Sequence, residues 1–391
     1  MDITKLLSLM VQHSASDLYI TVDSPPMYRI NGSIRPAGNK CLSEDDTEKI
    51  AMSVMNDRQQ KEFLETNEQN LALYYQNLGR FRVNVFKQRG SIAVVIRMIR
   101  TSIQTIEDLH LPEVFKDISM TKRGLVLVVG ATGSGKSTTL AAMIDYRNAN
   151  AAGHIIAIED PIEFVHTHKK SIVSQREVGL DTESFEIALK NSLRQAPDVV
   201  LLGEIRDQET MEAAITFAET GHLCLATLHS NNAHQAMERI MNFFPAERHN
   251  QIYMQLSMSL RAIVSQRLVK SLDDSRVAAV EVLLDSPRIK DLILKGQISE
   301  LKEAMEKSTL QGMQSFDQAL YDLYKAGKIS LDEALKNADS ANNVRLRVKL
   351  NEETATTKEN SQIEDLDLNS KNKNTVQENN SKEDTLEIVL D

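Results

Sequence analysis

Residues 125–137 read LVLVVGATGSGKS. Five apolar residues without a polar break, closed by glycine, form the kind of short strand that a parallel sheet buries on both faces. The run that follows, Gly130, Ala131, Thr132, Gly133, Ser134, Gly135, Lys136, Ser137 and then Thr138, is a P-loop in its proper setting. Glycines let backbone N–H groups turn toward one phosphate chain, and a helix starting at Lys136 aims the positive end of its dipole at the same point. The expected ligands are ATP, with Lys136 reaching its β- and γ-phosphates, and Mg²⁺, held by the Ser137 hydroxyl. Hydrolysis asks for more: an acid for the metal shell, a group to orient water, and positive charge for the transition state.

Working outward, the chain from Gly124 alternates apolar runs at 125–129, 154–158, 199–202 and 223–226 with amphipathic helices. This pattern predicts an α/β core around a parallel sheet, with ligands bound along the carboxyl edge of its strands. The segment 193–207, LRQAPDVVLLGEIRD, offers two acids to the metal. Asp198 opens its strand and Glu204 closes it, and at about 3.3 Å per residue only one can face the phosphates. The edge that carries the P-loop selects Glu204 as the second metal ligand beside Ser137, and leaves Asp198 to anchor the strand start. In 158–164, IEDPIEF, one of Glu159, Asp160 and Glu163 is expected to polarise water, and the turn forced by Pro161 favours Glu163. His229 lies two residues past an apolar run at the γ-phosphate edge and reads as a sensor, whereas His222 follows a helix end. His166 and His168 lack further ligands at zinc-like spacing.

Residues 1–100 predict a small α+β domain. Alternating strands are expected at 17–22 and 27–34, with Asn31-Gly32 as a turn, then at 71–76, 80–87 and 91–99, and a helical stretch at 45–66. Arg80 and Arg82 share one face of a strand there, and Arg97 lies on another. A linker at 101–122 leads to a core at 123–350. Residues 250–346 read as mostly helical, with Leu256, Leu260, Ile263 and Val264 at helical spacing. Residues 351–391 carry eleven acids against four lysines and no aromatic, so they are expected to be disordered. Of the net charge of −10, that tail holds most, which leaves the rest near neutral and without the basic clustering of a nucleic-acid groove. Two cysteines, Cys41 and Cys224, read as free thiols of a reducing compartment. The N-terminus lacks a signal peptide, and no apolar run reaches the roughly 20 residues of a membrane helix, so a chain neither exported nor membrane-spanning is expected.

Taken together, GATGSGKS, IEDPIEF, LRQAPDVVLLGEIRD and TGHLCLATLHSNN (220–232) closely resemble the Walker A, Asp-box, Walker B and His-box segments of the secretion and type IV pilus ATPases. The resemblance implies a RecA-like core preceded by a PAS-like domain, and assembly as a homo-hexamer. It implies Glu163 as catalytic base, Glu204 as Walker B acid, His222 and His229 as His-box residues, and Arg82 and Arg97 as arginine fingers. With the PAS-like domain beginning at residue 1 and no four-cysteine zinc module, the chain is similar to the retraction branch, the PilT/PilU group. Residues 120–137, 174–198 and 311–324 resemble the PilU type, and the AIRNLIRE box of the PilT type stands here as RIKDLILK at 288–295.

The function this implies is an ATP-driven motor for pilus retraction and twitching motility, working as an accessory to a PilT-like retraction ATPase. Its expected place is the cytoplasm, at the inner-membrane face of the pilus machine. There it would meet a platform protein and touch the membrane only indirectly, without nucleic acid. Two other classes share the motifs: a DNA translocase, and a nucleotide-gated adaptor that assembles a partner ring without turnover.

Overall fold

The computed structural model describes residues 2–99, 101–273, 275–308 and 312–350. The expected disorder of 351–391 lies outside the described residues. The chain divides into two compact units, one of 1–268 with 280–315, the other of 269–279 with residues from 316 onward.

The first unit opens with α1 (Ile3–Gln12), β1 (Asp17–Ile20), β2 (Met27–Ile30), β3 (Ser33–Pro36), α2 (Glu44–Val54), α3 (Asp57–Thr66), β4 (Glu68–Tyr75), β5 (Gly79–Gln88) and β6 (Ser91–Met98). The strands form one antiparallel sheet in the order β3-β2-β1-β6-β5-β4. The Asn31-Gly32 turn joins β2 to β3 with both residues at positive φ, 49° and 81°, the geometry that asparagine and glycine tolerate. Alternation puts Leu18, Phe81, Val83, Val85, Val94 and Ile96 on the covered face, where Leu7, Met10 and Phe63 of the helices meet them. The opposite face carries a charged row: Arg29, Asp17, Arg97 and Arg82 are cross-strand neighbours on β2, β1, β6 and β5.

After α4 (Val114–Met120), the chain builds the larger, mostly parallel sheet. Its parts are β7 (Gly124–Val129), α5 (Lys136–Asn150), β8 (Gly153–Glu159), β9 (Ser171–Glu177), α6 (Phe185–Ser192), β10 (Val199–Leu202), α7 (Gln208–Glu219), β11 (Leu223–Leu228), α8 (Ala233–Met241), α9 (His249–Ser259), β12 (Leu260–Lys270) and β13 (Arg276–Leu284). Strand order is β13-β12-β7-β11-β10-β8-β9. Every residue of β7, β10 and β11 is buried, as central strands covered by helices on both faces require. The four predicted strands of the core and the helix start at Lys136 are present.

Two features differ from the sequence-based expectation. β9, SIVSQRE, is an edge strand whose Ile172 is exposed, so it carries no apolar run to announce it. The helical reading of 250–346 fails at Leu260: α9 ends at Ser259, and β12 and β13 are strands. Leu260, Ala262, Ile263 and Val264 are all buried on β12, so the helical spacing is only that of a short run apolar on every side. A register shift between Leu260 and Ala262 further masks the strand's alternation. Beyond β13 lie α10 (Pro287–Leu294) and α11 (Leu301–Glu306).

The second unit packs α12 (Phe316–Lys325) and α13 (Leu331–Asn337) around Val269, Ala279, Phe316, Leu320, Ile329 and Val344. Buried Asp317 accepts the N–H groups of Asp339 and Ser340 at 2.8 and 3.1 Å, which fixes the turn after α13.

Candidate nucleotide site

Register brings the functional segments to one edge. Leu228, the last residue of β11, pairs with Val129, the last of β7, and Leu202 of β10 pairs with Ala226 and with Ile158 of β8. The residues just past these strands, Gly130, His229, Gly203-Glu204 and the 159–164 loop, therefore emerge side by side.

The P-loop bends through Gly130, Gly133 and Gly135, all at positive φ (155°, 78° and 90°). A Cβ on Gly135 would lie 2.7 Å from Gln266 Nε2, and one on Gly130 would lie 2.4 Å from Ser134 Oγ, while the space around Gly133 is open. The cradle thus fits a phosphate chain at its open turn and is closed behind by β12. Lys136 is buried and donates to the carbonyls of Gly130 at 2.9 Å and Ala131 at 3.1 Å, so its ammonium is held inside the loop. Burial lowers its pKa, and the nearby Glu204 carboxylate opposes that shift. Ser137 sits in the first turn of α5. One hydroxyl and one carboxylate, completed by phosphate and water oxygens, suit Mg²⁺, which takes few protein ligands. Among the described residues no group of three or more His, Cys, Asp or Glu forms a metal site by itself.

Glu204 lies 3.4 Å from His229 Nε2 and 3.3 Å from Arg206 Nε. His229 has its pKa lowered, first by burial and then by the Lys136 charge, so at neutral pH it meets Glu204 as a neutral imidazole. Arg206 also reaches Asp160 at 3.2 Å and so ties the Walker B and Asp-box segments together. Beside the loop, Ala131, His229, Ser230, Asn231, Gln235 and Arg239 line a cavity of ≈ 330 Å³.

Asp198 stands at the far edge, where its Oδ2 accepts the His154 N–H at 2.8 Å. His222, expected as a His-box residue, lies away from this edge. It precedes β11, its carbonyl accepts the Gly124 N–H at the start of β7, and its ring packs edge-on against Phe217. The six residues of β11 at about 3.3 Å each put it roughly 20 Å from His229.

Glu163 is exposed in the loop after β8, with its backbone N–H bonded to Glu159 and the Arg97 charge nearby. Glu159 has its carboxyl pushed up to about 7, chiefly by burial and further by Glu163 and Glu177. Neither arginine predicted as a finger touches the P-loop. Arg82 pairs with Glu177 at 3.0 Å and Arg97 with Asp17 at 2.7 Å.

Arg206, Glu177 and Gln266 escaped the sequence reading. Arg206 could have been found, since it lies inside the 193–207 segment, two residues after Glu204. Gln266 left a fainter signal, as the middle of three polar residues, Ser265 to Arg267, that follow the apolar Ala262 to Val264. Its Oε1 accepts from Thr139 of α5 at 2.7 Å.

A family model described as "Type II/IV secretion system protein" matches residues 1–385. The type IV pilus ATPase PilU of Pseudomonas aeruginosa is 56% identical over 355 residues, 90% of this chain and 93% of that protein. The retraction ATPase PilT of the same organism is 43% identical, covering 86% of this chain and 98% of that one. The crystal structure of the pilus retraction motor PilT with bound ADP superimposes with a TM-score of 0.81 at 41% identity, over 87% of this chain and 98% of that one. With its motifs gathered at one sheet edge and its whole described length matched, this chain belongs to the type II/IV secretion system protein family.

Proposed function

We infer that the chain is an ATP-hydrolysing motor subunit that promotes type IV pilus retraction, of the PilU type, and acts with a PilT-like retraction ATPase. The observation that carries this reading is the meeting of Lys136, Glu204 and His229 at the carboxyl edge of one parallel sheet. The likeness to PilU and to ADP-bound PilT supports it.

The P-loop, Gly130 to Thr138, binds the phosphate chain through its backbone, and Lys136 turns its ammonium from the loop carbonyls to phosphate oxygens. Ser137 and Glu204 would hold Mg²⁺, which supplies charge neutralisation on those oxygens. Glu163 takes the proton of the attacking water. His229, neutral beside Glu204, senses the terminal phosphate by hydrogen bonding. Arg82 and Arg97 supply positive charge when the N-terminal sheet swings over the site, and that swing is the mechanical stroke. His222 takes no part in the phosphate chemistry of its own chain.

The working form is a homo-hexamer at the cytoplasmic face of the inner membrane, bearing on the platform protein of the pilus. Its membrane contact is indirect: among the described residues no helix is long and apolar enough to cross a bilayer. The test is Lys136→Ala in a cell that twitches. Loss of ATP turnover and of retraction is the expected result, and unchanged turnover together with unchanged retraction would reject the motor reading.

A further inference from the structure

The Asp-box loop is held by a residue that none of the motifs contains. Glu177 ends β9, and only 4% of it is exposed. Its two carboxylate oxygens serve two different parts of the molecule. Oε1 accepts from Arg82 Nη2 at 3.0 Å, a residue of β5 95 positions earlier, and Oε2 accepts from the backbone N–H of Ile162 at 3.3 Å. A second contact runs alongside: the Glu177 N–H donates to Asp181 Oδ2 at 2.9 Å, and Asp181 lies 3.7 Å from Arg80 of the same strand. Thus β5 touches the end of β9 through two arginines, and the end of β9 touches the loop that carries Glu163.

A carboxylate as buried as Glu177 is costly unless it is paired and hydrogen-bonded, and Arg82 is the cation that balances it. The nearby Glu159 supplies no compensating positive charge. An apolar residue at this position would hold β9 in the core equally well. What the charged bridge adds is a link that is all or nothing. When Arg82 leaves, Glu177 remains buried without its counterion, and the Ile162 contact has to rearrange with it.

We propose that Glu177 is a positioning residue that transmits the place of Arg82 on the N-terminal sheet to the backbone at Ile162, and so sets the position of Glu163. The proposal rests on the reading of Glu163 as the base. Its consequence is mechanical: Arg82 cannot neutralise Glu177 and a phosphate at once, so movement of the N-terminal sheet onto nucleotide and release of the Asp-box loop are one event. β9 and β7 are four strand spacings apart in the sheet, about 19 Å, which is the span that Arg82 must cross.

Amide hydrogen exchange and steady-state ATP turnover of the full-length protein test this, with Arg82→Ala, Glu177→Ala, Glu177→Gln and the Arg82→Ala/Glu177→Ala pair. Exchange at 159–164 is expected to quicken about tenfold in each alanine variant, as loss of one charge-assisted bond implies. In the double variant it should be no faster than in the faster single. Glu177→Ala is expected to lower kcat about tenfold, with KM for ATP within twofold, because a displaced base slows chemistry rather than binding. Glu177→Gln keeps one acceptor oxygen and should fall between, while guarding against a folding defect.

Unaltered exchange at 159–164 in Glu177→Ala, a further acceleration when Arg82→Ala is added, or an unchanged kcat would overturn the proposal. Lys136→Ala serves as the separate control. If it leaves turnover intact, the ATPase reading falls, while the exchange data still judge the link.

Discussion

Single residues carry two sharp consequences of this geometry. Glu159 goes from a carboxyl with an ordinary pKa of 4.5 to one near 7 in the folded chain. A raised pKa means that the folded state keeps a proton which the unfolded state gives up. Stability contributed by this group is therefore full below pH 4.5, falls as pH rises toward 7, and is gone above that. Glu159→Gln, which cannot ionise, should flatten the denaturation profile across this window and stabilise the protein at pH 8 by up to about 3 kcal/mol. A variant no more stable than the parent at pH 8 would show that Glu159 is not held protonated. Gly135 gives the second consequence. It combines φ of 90° with Gln266 Nε2 at 2.7 Å from the place a Cβ would take, so Gly135→Ala should deform the cradle. ATP affinity measured by calorimetry is expected to drop at least tenfold, with the overall fold kept.

Among the elements, β12 shows what the sequence could and could not reveal. Strands β7, β10 and β11 announce themselves because each is an apolar run ending in a catalytic motif, and the P-loop fixes which edge those motifs share. The candidate site was legible for the same reason: Lys136, Glu204 and His229 all follow such runs directly. β12 has no such mark, and its residues also satisfy a helical period, so only pairing with β7 distinguishes the two. β9 is hidden by its place at the sheet edge. Glu177 and Arg82 are 95 positions apart, and His222 sits at the wrong end of a strand that its motif name treats as one unit. Contacts of that kind depend on tertiary placement, which local spacing does not encode. The buried Gln266 of β12 makes this testable. Gln266→Leu leaves the Thr139 hydroxyl without its acceptor under the P-loop helix, and should cost about 1–3 kcal/mol of stability in urea unfolding. No loss would mean that the hydroxyl finds another partner.

At the scale of the whole molecule, the two rival classes separate by charge and by turnover. With eleven of the acids and only four of the lysines in residues 351–391, the remainder of the chain is close to neutral. Duplex DNA should therefore not be retarded by the protein even at low salt, and tight binding that weakens steeply with salt would instead favour a translocase. The measurement that tests the central claim most directly is ATP hydrolysis by the purified full-length protein, alone and mixed with a PilT-like retraction ATPase, against Lys136→Ala and Glu204→Ala. Turnover that both substitutions abolish, and that the added PilT-like ATPase stimulates, is the predicted result. No turnover under either condition would contradict it and leave a nucleotide-gated adaptor in place of a motor.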